Sequence, residues 1–181
     1  MLLPEIVERR SIRKFKADKD VDEALIREVL EAGILAPSGS NTQPWHFIVV
    51  RNEENRKLIM QADYNQEWMM TAPVFIVCAA DLKSRMENTE GIYLDENDPL
   101  PETKLIIRDC AIAVENMILQ AQHLGLSTCW TAWFEQRDMK EAAGLAGDIY
   151  VSGVLCVGYA DEAPAARPRR SFEEVVHYET W

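Results

Sequence analysis

Four cations stand within six residues near the start of the chain: Arg9, Arg10, Arg13 and Lys14. Arginine carries a planar fork of donors that matches phosphate oxygens in pairs, and the same fork stacks on rings or donates to ring carbonyls. A second cluster, Arg167-Pro168-Arg169-Arg170, lies near the other end. Between them, residues 36–45 (APSGSNTQPW) offer hydroxyls, amides and backbone N–H groups through Ser38, Ser40, Asn41 and Gln43. Singly, each cationic cluster reads equally well as a solvated surface feature, and the loop as an ordinary turn. Together they are a donor set for a ligand that is flat, bears carbonyl and nitrogen edges, and ends in a phosphate needing charge from two directions.

The elements that must position these groups follow from periodicity. A short helix over 3–8 ends at the first arginines. A clearer helix covers 21–35, with Asp20 as cap, Glu23 in support, and Val21, Leu25, Val29 and Ala32 at helical spacing. It stops before Pro37. The run WHFIVV at 45–50 is β-branched and aromatic and predicts a strand. A surface helix over 52–60 and a buried strand over 74–80 follow. A long helix spans 103–124 and is closed by Gly125. Its apolar residues cover more than one stripe, so it should be buried by a sheet on one side and by something else, such as a partner subunit, on the other. Further expectations are a strand over 126–134, a helix over 136–145, a strand over 150–157 and a short helix or strand over 172–178. Interleaved helices and strands without repeats indicate one α+β or α/β domain over 1–181.

Composition narrows the partners. Hydrophobic content of 48% and charged content of 27% suit a soluble globular domain. A formal net charge of -11 argues against nucleic acid or an anionic membrane as partner, since both need a basic face. Cys78, Cys110, Cys129 and Cys156 are widely spaced in apolar runs, which predicts buried, reduced thiols in a cytoplasmic protein. No signal peptide is expected at the N-terminus, and no apolar run is long enough to cross a bilayer.

Other chemistries find no support. Glycine-rich dinucleotide and P-loop motifs are absent, and Ser38 lies in PSGSN rather than in a nucleophile elbow. His46, His123 and His177 have no ligand spacing and read as structural; no metal site is expected. No carboxylate pair stands out.

The chain resembles the flavin-dependent nitroreductases over nearly its whole length. The matching segments are Arg9-Arg10-Ser11-Ile12-Arg13, then Pro37-Ser38-Gly39-Ser40-Asn41-Thr42-Gln43-Pro44-Trp45, the helix around Ala113–Met117, the run from Leu124 to Trp130, and Gly158-Tyr159 leading to Arg167 and Arg169. Their order and spacing make the likeness specific. The resemblance implies an α+β sheet flanked by helices, assembled as an intimate homodimer around the long helix, with FMN at the interface. Arg9, Arg10, Ser11 and Arg13 would hold the phosphate, ribityl chain and pyrimidine edge. Arg13 would stand near N1 and the C2 carbonyl, where the reduced flavin is anionic. Pro37, Ser38, Ser40 and Asn41 would reach over from the other subunit, and Arg167 and Arg169 would complete the phosphate cage. Trp130, Thr131 and Ala132 would face the ring, with a backbone N–H near N5. Many relatives carry small residues after this strand; here Ala132 and Trp133 stand there, and Trp133 either points away or crowds the flavin.

The implied activity is ping-pong electron transfer from NAD(P)H, or another low-potential donor, to a small aromatic, nitro or quinone-type acceptor, with the chemistry on FMN. A flavin carrier or sensor without NAD(P)H turnover is the alternative, as is a relative with a specialised substrate, for example a dehalogenase. Tyr64, Trp68, Met69 and Tyr93 are candidate pocket walls, or simply packing. Residues 86–102 hold six acids and no lysine or arginine, which reads as a solvated loop or as an acidic flap over the site.

Overall fold

A computed structural model describes all 181 residues. The elements in order are α1 (Pro4–Glu8), α2 (Glu23–Ile34), β1 (Trp45–Val50), α3 (Glu53–Ala62), β2 (Val74–Asp81), α4 (Pro101–His123), β3 (Ser127–Thr131), α5 (Gln136–Ala143), β4 (Ile149–Gly158) and α6 (Phe172–Val175). Short 3-10 turns occupy Gly39–Asn41, Glu67–Thr71 and Leu82–Ser84. The four strands form one antiparallel sheet in the order β1-β2-β4-β3. The fold is α+β, as expected.

The sheet divides the core in two. Along β2, Val74, Ile76, Cys78 and Ala80 pack with α2 and α4, while Phe75 and Val77 pack on the opposite face with residues of α3 and α5. This alternation is the period of two that a strand imposes. Both faces are covered, so β2 reads as a continuous apolar run rather than as an alternating one. Burying each large aliphatic or aromatic side chain here stabilises the fold by about 1.5–3 kcal/mol.

Three boundaries differ from the sequence reading. Asp22, not Asp20, caps α2, accepting from the Ala24 N–H at 2.8 Å; Asp20 instead pairs with Arg51 at 2.9 Å. Strand β3 ends at Thr131, because residues 132–134 leave the sheet before α5 begins. Helix α4 starts at Pro101, where the missing N–H costs nothing in a first turn. The α4 surface facing the sheet and α2 is buried through Ile106, Cys110, Ala113, Met117 and Ala121. Leu105 and Ile112 remain exposed elsewhere on α4, and Leu2, Leu3, Ile6 and Val7 of the N-terminal segment are exposed as well. All four cysteines are free and buried.

Candidate functional site

Residues 11–16 lie along the sheet's end. Ser11 bridges Thr128, and the Ile12 N–H donates to the Thr128 carbonyl at 3.0 Å. Phe15 bridges Ala160, and the Lys16 N–H donates to the Tyr159 carbonyl at 2.8 Å. Ile12 and Phe15 are buried as anchors, leaving Ser11, Arg13 and Lys14 facing outward. This pairing brings the first arginine cluster to the segment that follows β4. Glu162 accepts from the backbone N–H groups of Arg13 and Lys14, and the Lys14 ammonium pairs with Asp161 at 2.7 Å.

The two cationic clusters meet there. A cleft of about 670 Å³ is lined by Arg9, Arg10, Ser11 and Arg13 on one side and by Arg167 and Arg169 on the other. Leu2, Ile6, Val7 and Pro164 supply an apolar margin. Arg10 donates to the Val7 and Arg9 carbonyls at 2.8 Å, and Arg169 reaches the Arg167 and Pro168 carbonyls at 3.5 and 3.4 Å. None of these five arginines forms an ion pair with a carboxylate of the chain. Five forked cations and a hydroxyl around one cleft are suited to a phosphate dianion and to the hydroxyls next to it, so the donor set fits FMN.

The loop at 36–45 sits elsewhere, and none of its residues lines this cleft. Ser40, Asn41 and Gln43 have φ of 53°, 57° and 47°. Three residues with side chains in the left-handed region within four positions is a strained arrangement that its surroundings must hold. Ser38 Oγ accepts from the Gln43 N–H at 2.9 Å, and the Pro44 carbonyl accepts from the Asp81 N–H at 2.8 Å. Behind the loop, Asp109 accepts from the Gly39 N–H and pairs with Arg85, while Arg85 donates to the Gly39 carbonyl. Pro37, Ser40 and Asn41 are thereby left exposed.

At the end of β3, the three expected ring-facing residues separate. The Trp130 indole packs on the α4 side of the core, so close to Gly153 that a Cβ there would come within 2.3 Å of it. Thr131 is buried and its hydroxyl is engaged with Asp63 and Gln66. Only Ala132 is exposed. Trp133 points outward and stacks at 5.3 Å, tilted, on Tyr64. Of the other candidate walls, Met69 is fully buried core, Trp68 is half-buried beneath Arg13, and Tyr64 and Tyr93 are exposed.

Residues 86–102 form no helix or strand until α4 begins, and none lines the arginine cleft. The segment is strapped down. Leu94 is buried, its carbonyl accepts from the Lys140 ammonium, and its N–H donates to Gly147 at 2.9 Å. Thr89 donates to Asp148 at 2.7 Å, and Glu96 accepts from the Gln136 N–H. Burial lowers the Lys140 pKa, an effect partly offset by nearby Asp95 and Glu96. Tyr93, Asp95 and Glu96 line an acidic groove shared with Glu135 and Arg137.

Asp63, Gln66, Arg85 and Asp109 escaped the sequence reading. Each stands among other polar residues that make it look like ordinary surface, and only contacts distant in sequence give it a role.

Comparison with known proteins is decisive about ancestry. The model of the nitroreductase family matches residues 6–159. The chain belongs to the nitroreductase family. An NADH dehydrogenase from Thermus thermophilus is 38% identical over 191 residues, covering 94% of this chain and 92% of that protein. An FMN reductase (NAD(P)H) from Bacillus subtilis is 26% identical, covering 99% of this chain and 74% of its own length. Among solved structures, the NADPH:FMN oxidoreductase from Vibrio harveyi complexed with NAD+ has a TM-score of 0.86 at 26% identity, covering 98% of this chain and 76% of the other. No helix of this nitroreductase-family chain is long and apolar enough to cross a membrane.

Proposed function

We propose that this member of the nitroreductase family is an FMN-dependent oxidoreductase. It takes electrons from NAD(P)H and delivers them to a small aromatic, nitro or quinone-type acceptor, with donor leaving before acceptor binds. The observation that carries this reading is the convergence of Arg9, Arg10, Ser11, Arg13, Arg167 and Arg169 on one cleft, without carboxylate partners. The names of the relatives, which pair a nicotinamide donor with FMN, support it.

Bound FMN supplies the two-electron acceptance and donation that no side chain of the chain offers. The residues of the chain supply binding and charge. Arg9, Arg10, Arg167 and Arg169 hold the phosphate from two sides, and Ser11 takes an adjacent hydroxyl. Arg13 would place a permanent cation near the pyrimidine edge, a charge suited to a reduced, anionic ring. The exposed face of the loop at 36–45 serves the cleft of a second copy, which makes the working unit a homodimer. The exposed apolar residues of the N-terminal segment and α4 supply surface for that contact.

The test is the absorbance spectrum of the purified protein, before and after anaerobic NADH or NADPH. A flavin spectrum that bleaches, and recovers on adding a quinone or nitroaromatic, is the expected result. A bound flavin that no nicotinamide bleaches indicates a carrier or sensor instead. A colourless protein that cannot be reconstituted with FMN overturns the reading.

A further inference from the structure

A line of polar contacts joins two parts of the proposed flavin site that are remote in sequence. The Arg13 guanidinium stands 5.9 Å from the centroid of the Trp68 ring. Trp68 Nε1–H donates to Gln66 Oε1 at 3.0 Å. Gln66 Nε2 donates to Thr131 Oγ1 at 2.8 Å, and that hydroxyl donates to Asp63 Oδ2 at 2.6 Å.

The direction of this relay is forced. An indole N–H can only donate, so it orients the Gln66 amide with oxygen toward Trp68 and nitrogen toward Thr131. A hydroxyl carries one proton, so Thr131, having accepted from Gln66, passes its own to Asp63. The acceptor at the end must be Asp63, which is fully buried. Its second oxygen, Oδ1, has no hydrogen-bond partner. Burial raises the Asp63 pKa, and the nearby donors of Thr131, Gln66 and the Trp133 backbone pull it back only in part. Between Asp63 and Gln66, Tyr64 and Asn65 take left-handed φ of 51° and 54°. A buried carboxylate beside a strained turn is an expensive arrangement for stability alone.

We propose that Gln66 and Asp63 are positioning residues for the cofactor. Through Trp68 they set the Arg13 guanidinium, and through Thr131 they set the end of β3, so both are held in one arrangement before FMN arrives. Neither residue lines the arginine cleft, so both act through others. Holding the donors in place beforehand spares the ordering cost of binding and so appears as affinity. The proposal rests on the FMN reading above.

The experiment titrates the apo protein with FMN, read by flavin fluorescence, and measures the midpoint potential of the bound flavin. The proteins are the wild type, Gln66→Leu, Thr131→Val and Thr131→Ser. Valine matches threonine in shape and breaks the relay; serine keeps the hydroxyl. Gln66→Leu and Thr131→Val should each raise the FMN Kd about tenfold and move the potential, whereas Thr131→Ser stays close to wild type. Melts of the FMN-free proteins report folding separately, and Gln66→Leu carries the test if Thr131→Val does not fold. Lower Tm with wild-type Kd and potential in Gln66→Leu and Thr131→Val would overturn the proposal. So would a serine variant as impaired as the valine one. A wild type that does not bind FMN at all overturns the flavin reading, and this proposal with it.

Discussion

The carboxylate of Asp109, on α4, accepts from the backbone N–H of Gly39 at 3.3 and 3.2 Å to its two oxygens. It also pairs with Arg85 at 2.9 Å, where both side chains are largely shielded from solvent. A Cβ on residue 39 would stand 2.5 Å from Arg85 Nη2, so a side chain there would push the guanidinium aside. The long helix thus braces the Ser/Asn loop from behind. Asp109→Ala removes the brace and strands the Arg85 charge. It should lower stability by about 3 kcal/mol, seen as a lower urea midpoint, because losing one member of a shielded pair leaves the other without its partner. It should also weaken FMN binding in the assembled protein, although Asp109 touches no part of the cleft. An Asp109→Ala protein with an unchanged urea midpoint would show that the brace carries no load.

The arginines of the cleft should be separable by what they bind. Arg167→Ala should weaken FMN by roughly 10- to 100-fold, the cost of one charge-assisted contact to phosphate, with the loss shrinking as salt rises. Arg13→Ala should weaken FMN and also slow flavin reduction by NAD(P)H, which stopped-flow absorbance measures. Normal reduction in Arg13→Ala would show that its cation does not face the ring.

The thiols should be inert in the native protein. Burial pushes the Cys110 thiol up to about 11, and raises Cys78, Cys129 and Cys156 as well. At pH 8 a thiol-specific chromogenic reagent should find no fast-reacting group until denaturant is added, when all four react. A rapid native reaction would show that one of them is reachable.

The strap at 86–102 should loosen in acid. The Thr89 hydroxyl, and then the Lys83 ammonium, hold the Asp148 pKa below its ordinary 3.8. A carboxylate held low in the folded state contributes stability above pH 3.8, and that contribution is lost as pH falls through the lower folded value. Thr89→Val should cost about 1 kcal/mol near neutral pH and less as the solution is acidified below that range. Urea melts across pH on both proteins measure the difference, and limited proteolysis reports whether the strap itself opens first. A constant gap down to pH 2 would show that Asp148 is not the acceptor that matters.

Much of the framework was legible in single windows of sequence. The run WHFIVV became β1 with its predicted ends, since a run of β-branched and aromatic residues interrupted only by His46 has few alternatives to a half-buried strand. Gly125 sits just beyond α4 at φ 73°, as a helix terminator should. The errors were local. Asp20 and Asp22 both qualify as caps by type, and the choice depended on where the Arg51 side chain lies. The strand expected over 126–134 was too long because Trp133 is apolar, yet it faces solvent and stacks on Tyr64.

Residue chemistry alone was enough to nominate the cleft. Arginine forks, hydroxyls and amides carry their donor pattern wherever they are placed, so types and order already pointed to a flat phosphorylated ligand. Which of them meet was decided only by the fold. Arg13 reaches the 162–169 segment because Ile12 and Lys16 hydrogen-bond to Thr128 and Tyr159, backbone pairings that no local pattern announces. Thr131 looked like a ring-facing residue, yet its hydroxyl is committed to Asp63 and Gln66, since sheet and α3 bring that turn to the end of β3. Donor chemistry belongs to the side chain; the partner that uses it belongs to the packing of distant segments.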